Sequence, residues 1–146
     1  MFKIMIVEDD HTIADLIAQA LTTWQLTPLV VTDFEAVYTQ FQEEQPHLVL
    51  LDINLPVYDG YHWVQQIRSA SHVPVIFISS RNTNMDMVMA MNLGADDVVN
   101  KPFAMEVLIA KINALLRRTY NYTDAQSQVL EHGGLTLDLQ TSAATV

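Results

Sequence analysis

The sequence contains no cysteine, which excludes disulfide bonds and thiolate-bound metal sites. Basic residues are scarce: 7 lysines and arginines face 17 aspartates and glutamates, giving a formal net charge of −10 at pH 7. Such a surface repels nucleic acid and anionic membranes, so we expect this stretch not to bind DNA by itself. No apolar run approaches the ~20 residues that span a bilayer, and the apolar opening is too short for a signal peptide. These absences predict a soluble cytoplasmic protein.

Half of the 146 residues are hydrophobic, enough for a packed core in one domain of ordinary size. We expect that domain to cover residues 1–118. Residues 119–128 are polar and predict a linker. Residues 129–146 place leucines around a Gly-Gly pair with partial alternation, and we interpret them as the start of an incomplete second domain.

Apolar runs of strand length alternate with helical periodicity along residues 1–118. Continuous apolar runs are typical of strands buried on both faces of a parallel sheet, and apolar residues spaced three and four apart are typical of amphipathic helices. The pattern predicts an α/β fold, with five helices packed on both faces of a five-stranded parallel sheet. The predicted strands are residues 2–7, 29–31, 48–52, 73–78 and 98–99.

Polar residues mark the expected ends of the helices. Asp10 is the predicted N-cap of the first helix, which runs to about Trp24, and Asp33 is the predicted N-cap of the second. The third helix is expected over residues 61–70 and the last over residues 104–118.

The segment before the fifth strand has methionine at every second position from 85 to 91, an alternation that by itself indicates a strand. We prefer a helix, because Thr83 and Asp86 form a capping pair and Gly94 is a typical helix end. On a helix Met85 and Met89 share one face, and we expect them to fill core. The nearly opposite face carries the other two methionines, Met87 and Met91.

Polar side chains follow four of the five strands at the point where each strand ends. The carboxyl ends of parallel strands meet at one edge of the sheet, where open α/β sheets bind their ligands. We therefore predict one site at this edge, formed by Glu8 and Asp9 after the first strand, Asp52 at the end of the third, Ser79 after the fourth and Lys101 after the fifth.

Three carboxylates at one edge repel one another unless a cation intervenes, and oxygen-rich sites of this kind suit Mg²⁺. The metal would leave Asp52 ionised and nucleophilic, able to accept a phosphoryl group as an acyl phosphate. Lys101 would supply positive charge, and Ser79 a hydroxyl donor for a phosphoryl oxygen.

Each residue also has a purely structural interpretation. Asp52 could begin a turn, Glu8 and Asp9 could lie in a solvated loop, Ser79 could cap a helix, and Lys101 could be a surface charge. The agreement of four strand ends favours a functional site. The five histidines show no metal-ligand spacing and are interpreted as structural or exposed: His11, His47, His62, His72 and His132.

These motifs resemble the receiver domain of bacterial response regulators. The resemblance covers residues 1 to about 118 and implies the strand order 2-1-3-4-5. It also implies a sensor histidine kinase as partner. The matching stretches are Ile6-Val7-Glu8-Asp9-Asp10, residues 52–60, Ile78-Ser79-Ser80, Gly94-Ala95-Asp96-Asp97 and Lys101-Pro102-Phe103.

The resemblance implies a role for each site residue. Asp52 is the implied phosphoacceptor, and it shares Mg²⁺ with Glu8 and Asp9 and with the backbone carbonyl of Asn54. The remaining implied roles are those of Ser79 as the switch hydroxyl and Lys101 as the phosphate-binding lysine, with a cis bond between Lys101 and Pro102.

The polar linker and leucine-rich tail resemble the entry to the winged-helix DNA-binding domain of OmpR/PhoB-type transcription factors. A weaker likeness, over residues 59–63 and 77–81, points to regulators of antimicrobial-peptide and bacitracin resistance. The implied function is a phosphorylation-activated regulator in which the receiver controls dimerisation and transcription through a C-terminal domain.

The sequence departs from this family at the expected switch and dimer face. Val98 stands where the family usually has Tyr or Phe, and a branched side chain with one stiff torsion cannot provide the usual ring movement. Ser79 replaces the commoner Thr, a change we expect to be conservative. Relatives dimerise through the fourth helix, fifth strand and fifth helix using ion pairs. Here that face carries Met87, Met91 and Val107, with Asp97 and Lys111 able to keep one pair, so we expect a homodimer that depends on apolar burial.

Two other functions remain open. A degenerate receiver could act as a phosphate-independent interaction module, an interpretation that Val98 favours and the intact acidic site opposes. An aspartyl-phosphate phosphatase of the haloacid-dehalogenase type would place a second acid two residues after Asp52, where this chain has Asn54. We therefore expect no enzyme in the usual sense, and at most an autophosphatase.

Overall fold

The computed structural model describes residues 1–81 and 83–120, in which five parallel strands form one sheet flanked by five helices. The strands are β1 (Lys3–Val7), β2 (Thr27–Val30), β3 (Leu48–Asp52), β4 (Val75–Ser79) and β5 (Asp97–Asn100). The helices are α1 (His11–Thr23), α2 (Val37–Glu44), α3 (Gly60–Arg68), α4 (Asn84–Leu93) and α5 (Met105–Tyr120). The strand order β2-β1-β3-β4-β5 confirms the predicted topology. The expected second domain, and all but the first two residues of the expected linker, lie outside the described residues.

The core has two layers, one on each face of the sheet, because successive strand residues point to opposite faces. Ile4 and Ile6 face a layer closed by α1 and α5, whereas Met5 and Val7 face a layer closed by α2, α3 and α4. Every residue of β3 and β4 is buried, which agrees with the apolar runs that predicted them.

The Met85 and Met89 prediction was wrong: these side chains are 72% and 44% exposed. Ala90 is the one buried residue of α4, and it contacts the layer that α2 and α3 close. Since α4 carries apolar side chains on most of its circumference, the sequence pattern could not show which side faces the sheet. The expected caps of this helix are present, with Thr83 accepting the Asp86 N–H and Gly94 ending the helix in a left-handed conformation.

The two acidic caps gave different outcomes. Asp10 caps α1 as predicted, with its side chain accepting the N–H groups of Thr12 and Ile13. Asp33 does not cap α2, which begins only at Val37. Asp33 instead accepts the N–H of Glu35 and so stabilises a turn before the helix.

The end of α5 is fixed to the opposite edge of the sheet from the predicted site. The Tyr120 hydroxyl donates to the His47 carbonyl at 2.7 Å, and its ring lies against Phe2. Phe2 and His47 immediately precede β1 and β3, so α5 ends beside the amino ends of these strands. Burial raises the pKa of Tyr120 to about 12, and the hydroxyl is therefore a proton donor at neutral pH.

No helix among residues 1–81 and 83–120 is both long enough and apolar enough to cross a membrane.

The loop between β3 and α3 contains a strained turn. The Tyr58 N–H donates to the Pro56 carbonyl at 2.9 Å, which closes a three-residue turn around Val57 at φ +71°. A positive φ at the centre is the rarer, strained form of this turn, and a β-branched residue is poorly suited to it. The Val57 side chain is itself exposed, so packing does not explain its presence there.

Replacing Val57 by Asn should therefore stabilise the protein. Asn adopts the left-handed region readily, so we expect Val57→Asn to raise the free energy of unfolding by about 1 kcal/mol in urea titrations. Val88→Asn is the matched control, because Val88 is an exposed residue of α4 and the two residue types have similar helix propensity. A Val57→Asn protein no more stable than the parent would contradict the assignment of strain.

Candidate functional site

The carboxyl ends of β1 and β3 bring three carboxylates together. In the sheet register Val7 lies opposite Leu51, so Glu8 and Asp9 emerge beside Asp52. One oxygen from each of these three side chains lies within 4.8 Å of the others. Glu8 and Asp52 are only 2% and 3% exposed, whereas Asp9 is exposed to solvent. The site is thus a buried acidic pair with a third acid at its mouth.

Lys101 neutralises part of this charge from the loop after β5. Its Nζ lies 2.7 Å from Glu8 Oε1 and 3.0 Å from Asp52 Oδ2. The Lys101 N–H donates to the Ser79 carbonyl, and the Lys101–Pro102 peptide bond is cis, as the family resemblance implied. These features place the ammonium group between the carboxylate that follows β1 and the carboxylate that ends β3.

The charges in this cluster shift the pKa of two of its members. Burial raises the pKa of Glu8, and the nearby Asp52 charge raises it further, against the lowering effect of Lys101 and of the Asp10 N–H. Burial lowers the pKa of Lys101, but its two carboxylate partners outweigh burial, and the net shift is upward. One ammonium group thus faces two buried carboxylates, so the acidic charge is only partly compensated.

The donor set fits a hard divalent cation. All three clustered ligands are carboxylate oxygens, two buried and one open to solvent, and Mg²⁺ prefers such oxygens together with several waters. An added positive charge would favour the ionised form of Glu8, whose pKa is raised first by burial and further by the Asp52 charge. The predicted ligation by the Asn54 carbonyl stays a prediction; the Asn54 N–H donates to Asp52 Oδ1 at 3.2 Å.

Gly60 allows the chain to pass close behind Asp52. A Cβ at this position would clash with the Asp52 carbonyl oxygen and would lie 3.0 Å from the Phe77 ring. The Gly60 N–H also donates to the Ile53 carbonyl at 2.8 Å. Only glycine fits this approach, which fixes the start of α3 against the end of β3.

Ser79 lies at the end of β4, one residue beyond the residue that pairs with Asp52. It is fully buried, and its Oγ accepts the Arg81 N–H at 2.8 Å. A hydroxyl that accepts one hydrogen bond can still donate its proton. Ser79 is thus near the acidic cluster and is bound to the loop that follows it.

Sequence reasoning missed Arg81. Its Nε donates to Asn54 Oδ1 at 2.9 Å, and its guanidinium carbon lies 5.9 Å from the centre of the Tyr61 ring. Arg81 therefore bridges the loop after β4 and the loop after β3, beside the acidic cluster. The available signal was a lone basic residue two positions after Ser79 in a strongly acidic chain.

The residues of the predicted dimer face lie on α4, β5 and α5. Met91 and Val107 are exposed, while Met87 and Val98 are half-buried. Lys111 Nζ lies 3.0 Å from Asp97 Oδ2 within the same chain. The predicted face thus combines apolar side chains with one internal ion pair.

A family model for the response regulator receiver domain matches residues 4–113. The sensory transduction protein BceR of Halalkalibacterium halodurans is 48% identical over 145 residues, which are 99% of this chain and 63% of BceR. The response regulator protein GraR of Staphylococcus saprophyticus is 43% identical over 136 residues, covering 93% of this chain and 61% of GraR. The chain spans about three fifths of the length of these curated relatives.

Among solved structures, the N-terminal domain of the nisin resistance regulator NsrR, a lantibiotic response regulator, aligns with a TM-score of 0.74. Its sequence identity to this chain is 44%, and the alignment covers 80% of this chain and 99% of that one.

Removing the Lys101 charge should destabilise the fold in a pH-dependent way. Because the pKa of Glu8 is raised on folding, its protonation favours the folded state below about pH 4.5, and this contribution is lost as pH rises through the raised pKa. Lys101→Met removes the group that lowers this pKa. We expect a loss of about 3 kcal/mol at pH 7, as for a broken buried ion pair, and a smaller loss as pH falls toward 4.5.

Urea unfolding at several pH values measures this effect. Lys111→Met is the matched control, because its ion pair with Asp97 lies at the surface and should contribute at most about 1 kcal/mol. Equal losses for the two variants, or a Lys101→Met loss that does not change with pH, would contradict the role assigned to the buried cluster.

Proposed function

The chain belongs to the response regulator receiver family, and on this basis we propose that it is the phosphorylated receiver of a two-component transcription regulator. The observation that carries the proposal is the buried contact of Lys101 with Glu8 and Asp52 at the edge of the sheet. Asp52 would be the phosphoacceptor and a sensor histidine kinase the donor. The protein would act in the cytoplasm and would turn over no outside substrate, with hydrolysis of its own acyl phosphate as its only catalytic activity.

The proposed transfer joins an Asp52 carboxylate oxygen to the phosphorus of a phosphohistidine. The phosphorus–nitrogen bond breaks, and the departing imidazole takes a proton from solvent. Asp52 is held for this step by the Asn54 N–H on one oxygen and by Lys101 on the other. Lys101 would then pair with the transferred phosphoryl oxygens. Mg²⁺, held by Glu8, Asp9, Asp52 and the Asn54 carbonyl, would neutralise the phosphoryl charge when bound.

Ser79 would couple phosphorylation of Asp52 to a conformational change in the rest of the domain. Its hydroxyl can turn toward a phosphoryl oxygen, and doing so would weaken its bond to the Arg81 N–H. The movement of an aromatic ring toward the core is not available here because position 98 is Val. We propose that the β4–α4 loop, with its Arg81 contacts to Asn54 and Tyr61, replaces that ring as the mobile part.

The output proposed is dimerisation through α4, β5 and α5, followed by DNA binding through a C-terminal winged-helix domain of the OmpR/PhoB type. The greater length of BceR and GraR supports a further domain. The similarity to NsrR, a nisin resistance regulator, supports a role in resistance to antimicrobial peptides.

A degenerate, phosphate-independent receiver is the second candidate, favoured by Val98 alone. The acidic cluster with its bound lysine argues against it, since burying such charges is costly without a use. A phosphatase of the haloacid-dehalogenase type lacks support, because Asn54 occupies the position of the second acid and its side chain accepts from Arg81.

Incubation with acetyl phosphate and Mg²⁺ tests the phosphoacceptor. We expect the intact mass to increase by one phosphoryl group, with no increase for Asp52→Asn or when Mg²⁺ is chelated. Asp59→Asn is the matched control, because Asp59 is a carboxylate of the same loop that caps α3 and lies outside the cluster. Unmodified parent protein would favour the degenerate receiver, and turnover of an added phosphomonoester would favour the phosphatase.

The proposed dimer should be insensitive to salt, because its face is mainly apolar. With beryllofluoride as the phosphoryl mimic, we expect the dimer dissociation constant from sedimentation to change less than about threefold between about 0.05 and 0.5 M NaCl. Met91→Glu should weaken the dimer more than about tenfold through burial of a charge. Met85→Glu, at an exposed methionine of α4 on another side, should leave it nearly unchanged. A steep loss of dimer with salt would refute the apolar interface.

A further inference from the structure

The charges of this chain are strongly segregated along the sequence. Residues 4–67, which include α1, α2 and most of α3, contain no lysine or arginine. The same residues contain ten acids: Glu8, Asp9, Asp10, Asp15, Asp33, Glu35, Glu43, Glu44, Asp52 and Asp59. A surface made from this half of the chain attracts cationic partners and repels anionic ones.

A cleft of about 270 Å³ opens in this acidic half, between the start of α2 and the first turns of α3. Glu35 is the one charged residue of its lining, and the other lining residues include four with rings. The ring residues are Tyr38, Tyr58, His62 and Trp63. Aromatic faces beside a carboxylate are a suitable environment for a cation.

Trp63 provides an independent sign that the cleft takes a ligand. Its side chain is only 3% exposed, and its Nε1–H has no acceptor among the described residues. A buried donor without a partner costs about 1–3 kcal/mol, so such groups are rare unless something else satisfies them. The indole N–H is therefore a buried donor that a carbonyl or carboxylate oxygen of a bound molecule would satisfy.

Tyr58 lies against Trp63 in the lining of this cleft and is partly open to solvent. Its ring stacks on His62 at 4.1 Å and meets the Trp63 ring edge-on at 5.6 Å, yet the residue is 48% exposed. It directly follows Val57, whose strained turn stores energy that a change of loop conformation would release. Rotation of Tyr58 out of this stack would widen access to the Trp63 N–H.

We propose that this cleft binds an arginine or lysine side chain of a basic polypeptide partner. The cation pairs with Glu35 and lies against the tyrosine rings, while a backbone carbonyl of the same segment accepts the Trp63 N–H after Tyr58 moves. Arginine is favoured over lysine, because its planar group both stacks on rings and binds carboxylates in two places. The site is separate from the phosphoryl site and needs neither Mg²⁺ nor phosphate.

Nuclear magnetic resonance on the full chain tests this proposal through the indole N–H signal of Trp63. A Trp24→Phe background removes the second indole, which is exposed on another part of the molecule. The probe is the blocked tripeptide acetyl-Ala-Arg-Ala-amide, and its citrulline counterpart serves as the neutral analogue. We expect a saturable shift with the arginine peptide and at least about fivefold weaker binding of the citrulline peptide.

Two isosteric variants separate a local site from general attraction. Glu35→Gln should weaken binding of the arginine peptide at least about fivefold, whereas Glu43→Gln, on an exposed residue of α2 outside the lining, should change it less than about twofold. Equal effects of the two variants, equal binding of the two peptides, or no shift of the Trp63 signal would each overturn the proposal. Because the experiment contains no Mg²⁺ or phosphodonor, its result is independent of whether Asp52 accepts phosphate.

Discussion

The geometry of the site and of the loops around it depends on two buried carboxylates that share one ammonium group. Glu8 and Asp52 come from neighbouring strands and are almost completely removed from water, so their mutual repulsion is poorly screened. Lys101 contacts both, but one ammonium group faces two carboxylates, and burial together with the Asp52 charge still raises the pKa of Glu8. The cluster therefore keeps a net negative charge at one edge of the sheet. Binding of a cation, or a change in the charge of Asp52, would alter that net charge.

The loops around this edge have unusual local geometry because they must hold that arrangement. Gly60 passes within a distance of Asp52 that no side chain permits, and the Lys101–Pro102 bond is cis. Arg81 links the loop after β3 to the loop after β4 through Asn54. Gly60 and Lys101 both contact Asp52 directly, so a change at Asp52 would act on residues whose positions are already closely constrained.

The central strands and the site could be predicted from sequence because their signals are local and strong. Four apolar residues followed by Asp52 strongly predict a buried strand that ends in a carboxylate. Because the strands are parallel, Glu8, Ser79 and Lys101 then lie at the same edge of the sheet. The buried side of α4 could not be predicted, since Met85, Val88, Met89 and Met91 give the helix no polar face. Arg81 was missed because its role depends on the distance between two loops, which no sequence spacing contains. Asp33 was misassigned because the same side chain suits both a helix cap and a turn.

The position of Tyr120 has a consequence for how any attached domain could respond. The last turn of α5 is fastened beside the strand beginnings, whereas Asp52 stands at the strand ends, about five residues or roughly 17 Å farther along the sheet. Whatever follows Tyr120 in the chain is therefore joined to the domain at the edge of the sheet opposite the acidic cluster. A conformational change that begins at Asp52 therefore does not reach an attached domain through the connecting segment itself. It would act through the helices and loops beside the sheet, by altering the surfaces that the domain offers to neighbouring molecules.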